Sequence, residues 1–253
     1  MSVFSLDLKR IGSSIDQRLL VVMPVYNEEA NIRVVLAEWT AALKAELDNF
    51  AFVIINDGSR DGTEAILQEL ESNDPEHYIV VTKPNSGHGN SCRVGYDVAC
   101  ASRCEWVLQI DTDGQCDPCY FSAFWTEKDQ ADCVFGVRKS RDDGWARVVT
   151  SQICRWGSSM VCGVDLRDPN VPYRLLRKSV LFGALNFIPP GFNIHNVAIT
   201  FVLKKTPKLR FRYVPIHFRE RQGGKNSINL LNVTQWGVDM LVELWKLQRK
   251  IGP

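Results

Sequence analysis

Four short apolar runs, each breaking directly into a polar cluster, constrain the fold of this chain more than any other feature. They occupy residues 19–25, 52–55, 78–82 and 106–110. Runs of this length without polar alternation read as strands buried on both faces, the pattern of a parallel sheet. Helical spacing separates them. Asn27-Glu28-Glu29 offers a cap and two acids ahead of a helix over 32–47. Asp57-Gly-Ser-Arg-Asp-Gly-Thr63 is a turn, and Asp61 with Glu64 has capping-box spacing for a helix to residue 70. The loop Pro84-Asn-Ser-Gly-His-Gly-Asn90 leads into a helix ending near Ser102. Strand and helix in this rhythm predict an α/β fold, a mostly parallel sheet flanked by helices.

The second half is less regular. Strands are expected at 132–137, 171–177 and 209–218, and helices at 145–161 and 193–204. Gly223-Gly224 is a break, and a long C-terminal amphipathic helix follows over 228–249. A composition shift near Gly136 separates a first half, about 19–135, from a second, about 136–253, but nothing there reads as a linker. A single domain over 1–253 is expected.

In an open parallel sheet, ligands bind beyond the carboxyl ends of the strands. Four polar clusters fall there: Pro24-Val-Tyr-Asn-Glu28, Asn56-Asp-Gly-Ser59, Asn85-Ser-Gly-His-Gly89 and Asp111-Thr-Asp-Gly-Gln115. Topology gathers them on one edge. Asp111 and Asp113 can reach one divalent ion, with Gln115 adding an amide oxygen, and hard cations share such sites with substrate phosphates. Asp57 can accept from the N–H edge of a nucleobase. The glycine-bearing loop at 85–89 could turn backbone N–H groups toward a phosphate. It lacks the Gly-Lys-Ser/Thr of a Walker loop, and it follows the third strand, which argues against a dinucleotide fingerprint.

These clusters resemble the family 2 glycosyltransferases of GT-A (Rossmann-like) fold, and most closely the subgroup of dolichyl-phosphate mannose synthase and the bacterial polyprenyl-phosphate sugar transferases. Pro24-Val-Tyr-Asn-Glu-Glu29 is similar to that family's opening strand and turn, Asn56-Asp-Gly-Ser-Arg-Asp-Gly-Thr63 to its nucleobase turn, and Asp111-Thr-Asp-Gly-Gln115 to its metal motif. Asp168-Pro-Asn-Val-Pro-Tyr-Arg174 and Phe218-Arg-Glu-Arg-Gln-Gly-Gly-Lys-Asn-Ser227 are looser matches. The resemblance implies that Pro24, Tyr26, Glu28 and Asp57 contact base and ribose. It implies that Asp111, Asp113 and Gln115 hold Mg²⁺ or Mn²⁺ against the diphosphate. Arg138, Arg221 and Lys225 are phosphate-contact candidates. The implied reaction is an inverting transfer from a nucleotide sugar, UDP-linked by preference with GDP-mannose as the other option, to a polyprenyl phosphate or a cell-envelope glycan. A hydroxyl acceptor needs a general base, for which Asp168 is the candidate. Its alternative role is a structural acid paired with Arg174. A phosphate acceptor needs no base.

The remaining expectations bound the partners. Net charge is +1, so no global field recruits nucleic acid. The start has no signal-peptide pattern and no run is long enough to span a bilayer, so a cytoplasmic protein is expected. The final helix either packs on the core or, with Trp236 and Trp245 and the basic Lys246, Arg249 and Lys250, reaches the inner membrane surface; Arg147, Trp156 and Met160 could join it. Eight cysteines include Cys116-Asp-Pro-Cys119, read as free thiols, with a zinc site and a redox pair as alternatives. Rival activities are a sugar-1-phosphate nucleotidyltransferase, a dehydrogenase and a non-catalytic nucleotide-sugar-binding protein. Oligomeric state is open.

Overall fold

The computed structural model describes residues 3–138, 163, 166–189, 191–192, 195–220 and 233–251. Four strands form as expected: β1 (Leu19–Val25), β2 (Phe50–Asn56), β3 (Tyr78–Thr82) and β4 (Trp106–Gln109). Three more follow, β5 (Cys133–Arg138), β6 (Arg174–Arg177) and β7 (Phe211–Ile216). They make one sheet in the order β3-β2-β1-β4-β6-β5-β7. β1 pairs in parallel with β2 and with β4, and β2 with β3. β6 is antiparallel to both its neighbours, while β5 and β7 run parallel to each other.

Every residue of β1 and β2 is buried, which explains their unbroken apolar runs. Alternate side chains feed two cores. Leu20 and Val22 join Val53, Val107, Tyr96 and Phe201 on one face. Leu19, Val21 and Met23 join Phe52, Leu108, Trp39 and Phe121 on the other. Helices α1 (Val3–Ser13), α2 (Ile32–Lys44), α3 (Thr63–Asn73), α4 (His88–Ala101) and α5 (Phe121–Glu127) accompany the first half, and α6 (Lys178–Leu185), α7 (His195–Lys205) and α8 (Val233–Ile251) the second.

Several local expectations are corrected. The strand predicted over 171–177 starts only at Arg174. Pro172 has no N–H for a ladder, and Val171 N closes a turn onto Asp168 O at 3.3 Å. The strand expected over 209–218 is confined to Phe211–Ile216. It tolerates Pro215 because β7 is an edge strand. The helix start at residue 63 is not a capping box: Asp61 accepts from Thr63 N, but Glu64 accepts from Gln68 instead of turning back. α1, α5 and α6 were not anticipated, being short or terminal. The helix expected at 145–161, with Arg147, Trp156 and Met160, and the Gly223-Gly224 break lie outside the described residues.

α8 packs onto the core through Leu244 and Leu247, while Val242 and Trp245 stay exposed. Among the described residues, no helix is long and apolar enough to cross a membrane. Cys116 and Cys119 are both free, the first buried and the second exposed. Asp117 between them accepts from Cys119 N at 2.9 Å and caps a short 3₁₀ turn over Pro118–Tyr120. Capping accounts for that spacing without a metal or a disulfide.

α4 lies so close to β1 that a Cβ on Gly95 would stand 2.4 Å from Val22 Cγ1. Gly95→Ala should therefore lower stability by about 1–3 kcal/mol, read as a reduced midpoint in thermal denaturation, despite the better helix propensity of alanine.

Candidate active site

The parallel strands β1, β2 and β4 deliver their carboxyl ends to one edge. There a cavity of about 400 Å³ opens, lined by residues from all four strand-end clusters. Of the predicted site residues, Pro24, Tyr26, Glu28, Asp57, Asp111 and Asp113 line it. So do Asn85, His88 and Ser91, from the third cluster and the start of α4.

The first two loops are laced together. Asn27 N donates to Ser59 Oγ at 3.1 Å, and Arg60 N donates back to Asn27 Oδ1 at 2.8 Å. Glu28 N donates to Thr63 Oγ1 at 2.9 Å, and Gly62 N to Glu29 Oε2 at 2.6 Å. Asn27 adopts a positive φ of 55°, which asparagine tolerates better than most residues and which turns the chain for this exchange. Asn27 and Glu29, expected as a cap and an acid ahead of the helix, thus tie one loop to another through their side chains. Glu28 also accepts from Asn31 Nδ2 at 3.0 Å.

Asp57 is more constrained than a free base acceptor. Its carboxylate is buried and contacts Lys83 Nζ, and it accepts from Ser86 N at 2.9 Å and Gly87 N at 3.0 Å. Lys83 is equally buried and also reaches Ser86 Oγ at 2.5 Å. A carboxylate has about four acceptor positions, so roughly one remains for a ligand. The expectation that the 85–89 loop aims its N–H groups at a phosphate is corrected for Ser86 and Gly87: both are spent on Asp57.

The cation candidates share one feature. Asp111 Oδ1 accepts from Gln109 Nε2 at 3.0 Å, Asp113 Oδ1 accepts from Gln115 N at 3.1 Å, and Gln115 Nε2 donates to Arg219 O at 3.4 Å. In each side chain one end is held by the protein and one oxygen is left over. Burial raises the Asp111 carboxyl above the usual range, more than nearby His88 lowers it, and the like charge of Asp113 adds to the rise. His88 Nε2 stands 3.6 Å from Asp111 Oδ1, too long for a hydrogen bond but close enough for attraction. A half-buried carboxylate facing a second one, with spare oxygens on both, fits a hard divalent cation. Among the described residues, no three His, Cys, Asp or Glu side chains cluster as cation ligands. Any ion here must complete its shell from Gln115, substrate and water.

Three described candidates do not line the cavity: Gln115, which lies just past Asp113, and Asp168 and Arg138, which lie apart. The last two meet each other, Arg138 N donating to Asp168 Oδ2 at 3.3 Å with the guanidinium Nε 4.0 Å away. Asp168 acts on Arg174 through its charge, which favours the protonated guanidinium. The fully buried Arg174 guanidinium donates to Val171 O and Asn196 O at 2.7 Å, to Thr200 Oγ1 at 2.8 Å and to Pro169 O. Burial pulls its pKa down to about 10. Arg221 and Lys225 lie outside the described residues.

Arg219 was not anticipated. Its N donates to Gln115 O at 3.0 Å, and its guanidinium pairs with Glu38 at 2.6 Å and Asp117 at 2.8 Å. Two positions from Arg221 in a run of charged residues, it carried no sequence signal of its own.

The model of the family described as "Glycosyl transferase family 2" matches residues 20–197. The undecaprenyl-phosphate 4-deoxy-4-formamido-L-arabinose transferase of Shewanella sediminis is 25% identical over 235 residues, covering 88% of this chain and 66% of its own length. The polyprenol monophosphomannose synthase of Mycolicibacterium smegmatis is 26% identical over 237 residues, covering 88% of each chain. A crystal structure of glucosyl-3-phosphoglycerate synthase from Mycobacterium tuberculosis, in complex with Mn²⁺ and UDP-glucose, superposes with a TM-score of 0.63 at 16% identity, over 96% of this chain and 84% of that one. That likeness establishes the fold as the GT-A architecture.

The raised pKa of Asp111 has a stability consequence. A carboxyl whose folded pKa exceeds its unfolded value favours the folded state at low pH and loses that contribution as pH rises through the folded pKa. In chelator-treated protein, Asp111→Asn should therefore melt higher than wild type at neutral pH, with the gap narrowing toward pH 4 and below. Thermal scans across pH check this.

Proposed function

The chain belongs to glycosyl transferase family 2, and from that premise we propose that it moves a sugar, with inversion, from a nucleotide-sugar donor to a polyprenyl phosphate, using Mg²⁺ or Mn²⁺ at Asp111, Asp113 and Gln115. The observation that carries the reading is the pair of half-tied carboxylates, Asp111 and Asp113, on the wall of the strand-end cavity, with the half-tied Gln115 two residues beyond them. Glycosyltransferase activity follows from the family. The identity of donor, metal and acceptor is the proposal.

Within it, Tyr26, Pro24 and Glu28 form the wall for base and ribose, and Asp57 offers its remaining acceptor position to the base edge. A bound divalent ion would supply Lewis-acid neutralisation of the departing diphosphate. Asp111 and Asp113 hold their spare oxygens toward that charge, while Arg221 and Lys225 are assigned to the phosphates. UDP is the favoured base carrier, with GDP-mannose the alternative. Two relatives are named for undecaprenyl-phosphate and polyprenol chemistry, which supports a lipid phosphate acceptor. An anionic phosphate oxygen attacks the anomeric carbon without a base. The position of Asp168 agrees: it sits against Arg138 outside the cavity wall, where it orients the acceptor side rather than taking a proton. The second reading is a hydroxyl acceptor with Asp168 as general base, a carboxylate that does not line the cavity.

The exposed aromatics fit a lipid acceptor. Phe182 and Phe187 around the end of α6, and Val242 and Trp245 on α8, are exposed. Lys250 Nζ donates to Phe187 O at 3.2 Å, joining the two helices' surfaces, and Arg249 lies 3.7 Å from the centroid of Trp245. Apolar side chains flanked by cations suit peripheral contact with an anionic membrane.

Titration calorimetry with UDP and GDP, with and without Mn²⁺, should show one nucleotide binding at least tenfold more tightly with metal; equal binding in all four arms sinks the cation reading. Asp113→Ala should reduce turnover at least ~10²-fold with the circular dichroism spectrum unchanged. In flotation assays, the protein should rise with vesicles containing anionic lipid, and Phe182→Ala/Trp245→Ala should reduce the floated fraction severalfold. Retention in the lower fractions by wild type would favour a soluble acceptor.

A further inference from the structure

Gln109 closes β4, a strand otherwise made of Trp106, Val107 and Leu108. It is fully buried, paired in register with Val22 on one side and Arg174 on the other. A leucine or valine would serve such a position better, because a buried amide must find partners at both ends. Gln109 finds one. Its Nε2 donates to Asp111 Oδ1 at 3.0 Å, and its Oε1 is buried without a hydrogen-bond partner. The orientation is chemically forced, since the flipped amide would set its oxygen against a carboxylate oxygen. A local conflict of this kind, a stability defect retained beside a reactive group, marks a functional constraint.

We propose that Gln109 is a positioning residue for the cation site. By holding Asp111 Oδ1 from inside the strand, it fixes the carboxylate's rotation and leaves Oδ2 as the oxygen for the ion. Asp113 receives the matching restraint from Gln115 N, so both carboxylates are oriented before any ligand arrives. This rests on the cation reading above, and the experiment separates the two.

The variant is Gln109→Leu, which removes the donor and the orphaned oxygen together. Mn²⁺ binding is read by electron paramagnetic resonance of the free ion in the presence of UDP and of GDP. Melting of the chelator-treated protein is measured in parallel. Wild type should bind Mn²⁺ with one of the nucleotides. In the variant that affinity should fall about tenfold, while the metal-free melting midpoint stays equal or rises. Turnover lost at low Mn²⁺ should return as Mn²⁺ is raised, which a merely structural defect would not allow. If wild type itself binds no Mn²⁺ with either nucleotide, the cation reading fails. If wild type binds and the variant binds equally well, the role of Gln109 alone is overturned. Should Gln109→Leu not fold, Gln109→Met takes its place; if both lower the melting midpoint or fail to fold, Gln109 is a structural residue and the proposal falls.

Discussion

The structure depends on the parallel register that puts β1 between β2 and β4. Because all three strands run one way, the chain must leave the sheet at the same edge each time, and the polar residue that ends each strand arrives beside the others. The ladder continues past the strands themselves: Asp57 N donates to Val25 O at 2.9 Å, Lys83 N to Asn56 O at 3.0 Å, and Ile110 N to Val22 O at 3.2 Å. Thr112 Oγ1 adds a bond to Pro24 O at 3.1 Å. The apolar strand interiors supply the burial, and the backbone pairing converts it into a fixed floor for the cavity.

Above that floor, charge is bound rather than exposed. Asp57, after β2, and Lys83, after β3, neutralise each other, and Arg174, at the start of the antiparallel β6, gives its guanidinium hydrogen bonds to neutral oxygens. Removing either member of the Asp57–Lys83 pair would leave a buried charge uncompensated, at a cost of several kcal/mol. Asp111 is the exception, a half-buried acid whose nearest partners, His88 and Gln109, only partly compensate it. The contrast leaves one carboxylate on the sheet edge with an oxygen for a ligand.

Much of this was legible in the sequence. Apolar runs as dense as Leu19-Leu-Val-Val-Met-Pro-Val25 can hardly be anything but central strands, and their polar endings named six residues that do line the cavity. Local pattern failed where partners are remote. Nothing in Asn27-Glu28-Glu29 says that its bonds go to residues 59–63, nor in Lys83 that it will face Asp57. The short β6 could be seen as apolar, but its reversed direction is set by packing between β4 and β5. Arg138 and Asp168 read as separate candidates, and only the structure brings them together, away from the cavity wall.

The reversed β6 has a consequence for how the chain is made. β4 finds its second neighbour not in the next strand but in β6, and β5 lies beyond that. As the polypeptide emerges from a ribosome, β1 to β4 and their helices can assemble early. Yet β4 keeps an unpaired edge until residues 174–177 follow. An open parallel edge is a template for pairing with other chains. The strand that closes this edge brings Arg174 with it, and the guanidinium bonds to Pro169, Val171, Asn196 and Thr200 rather than to β4, so closing the edge also buries a charge that the later part of the chain alone satisfies.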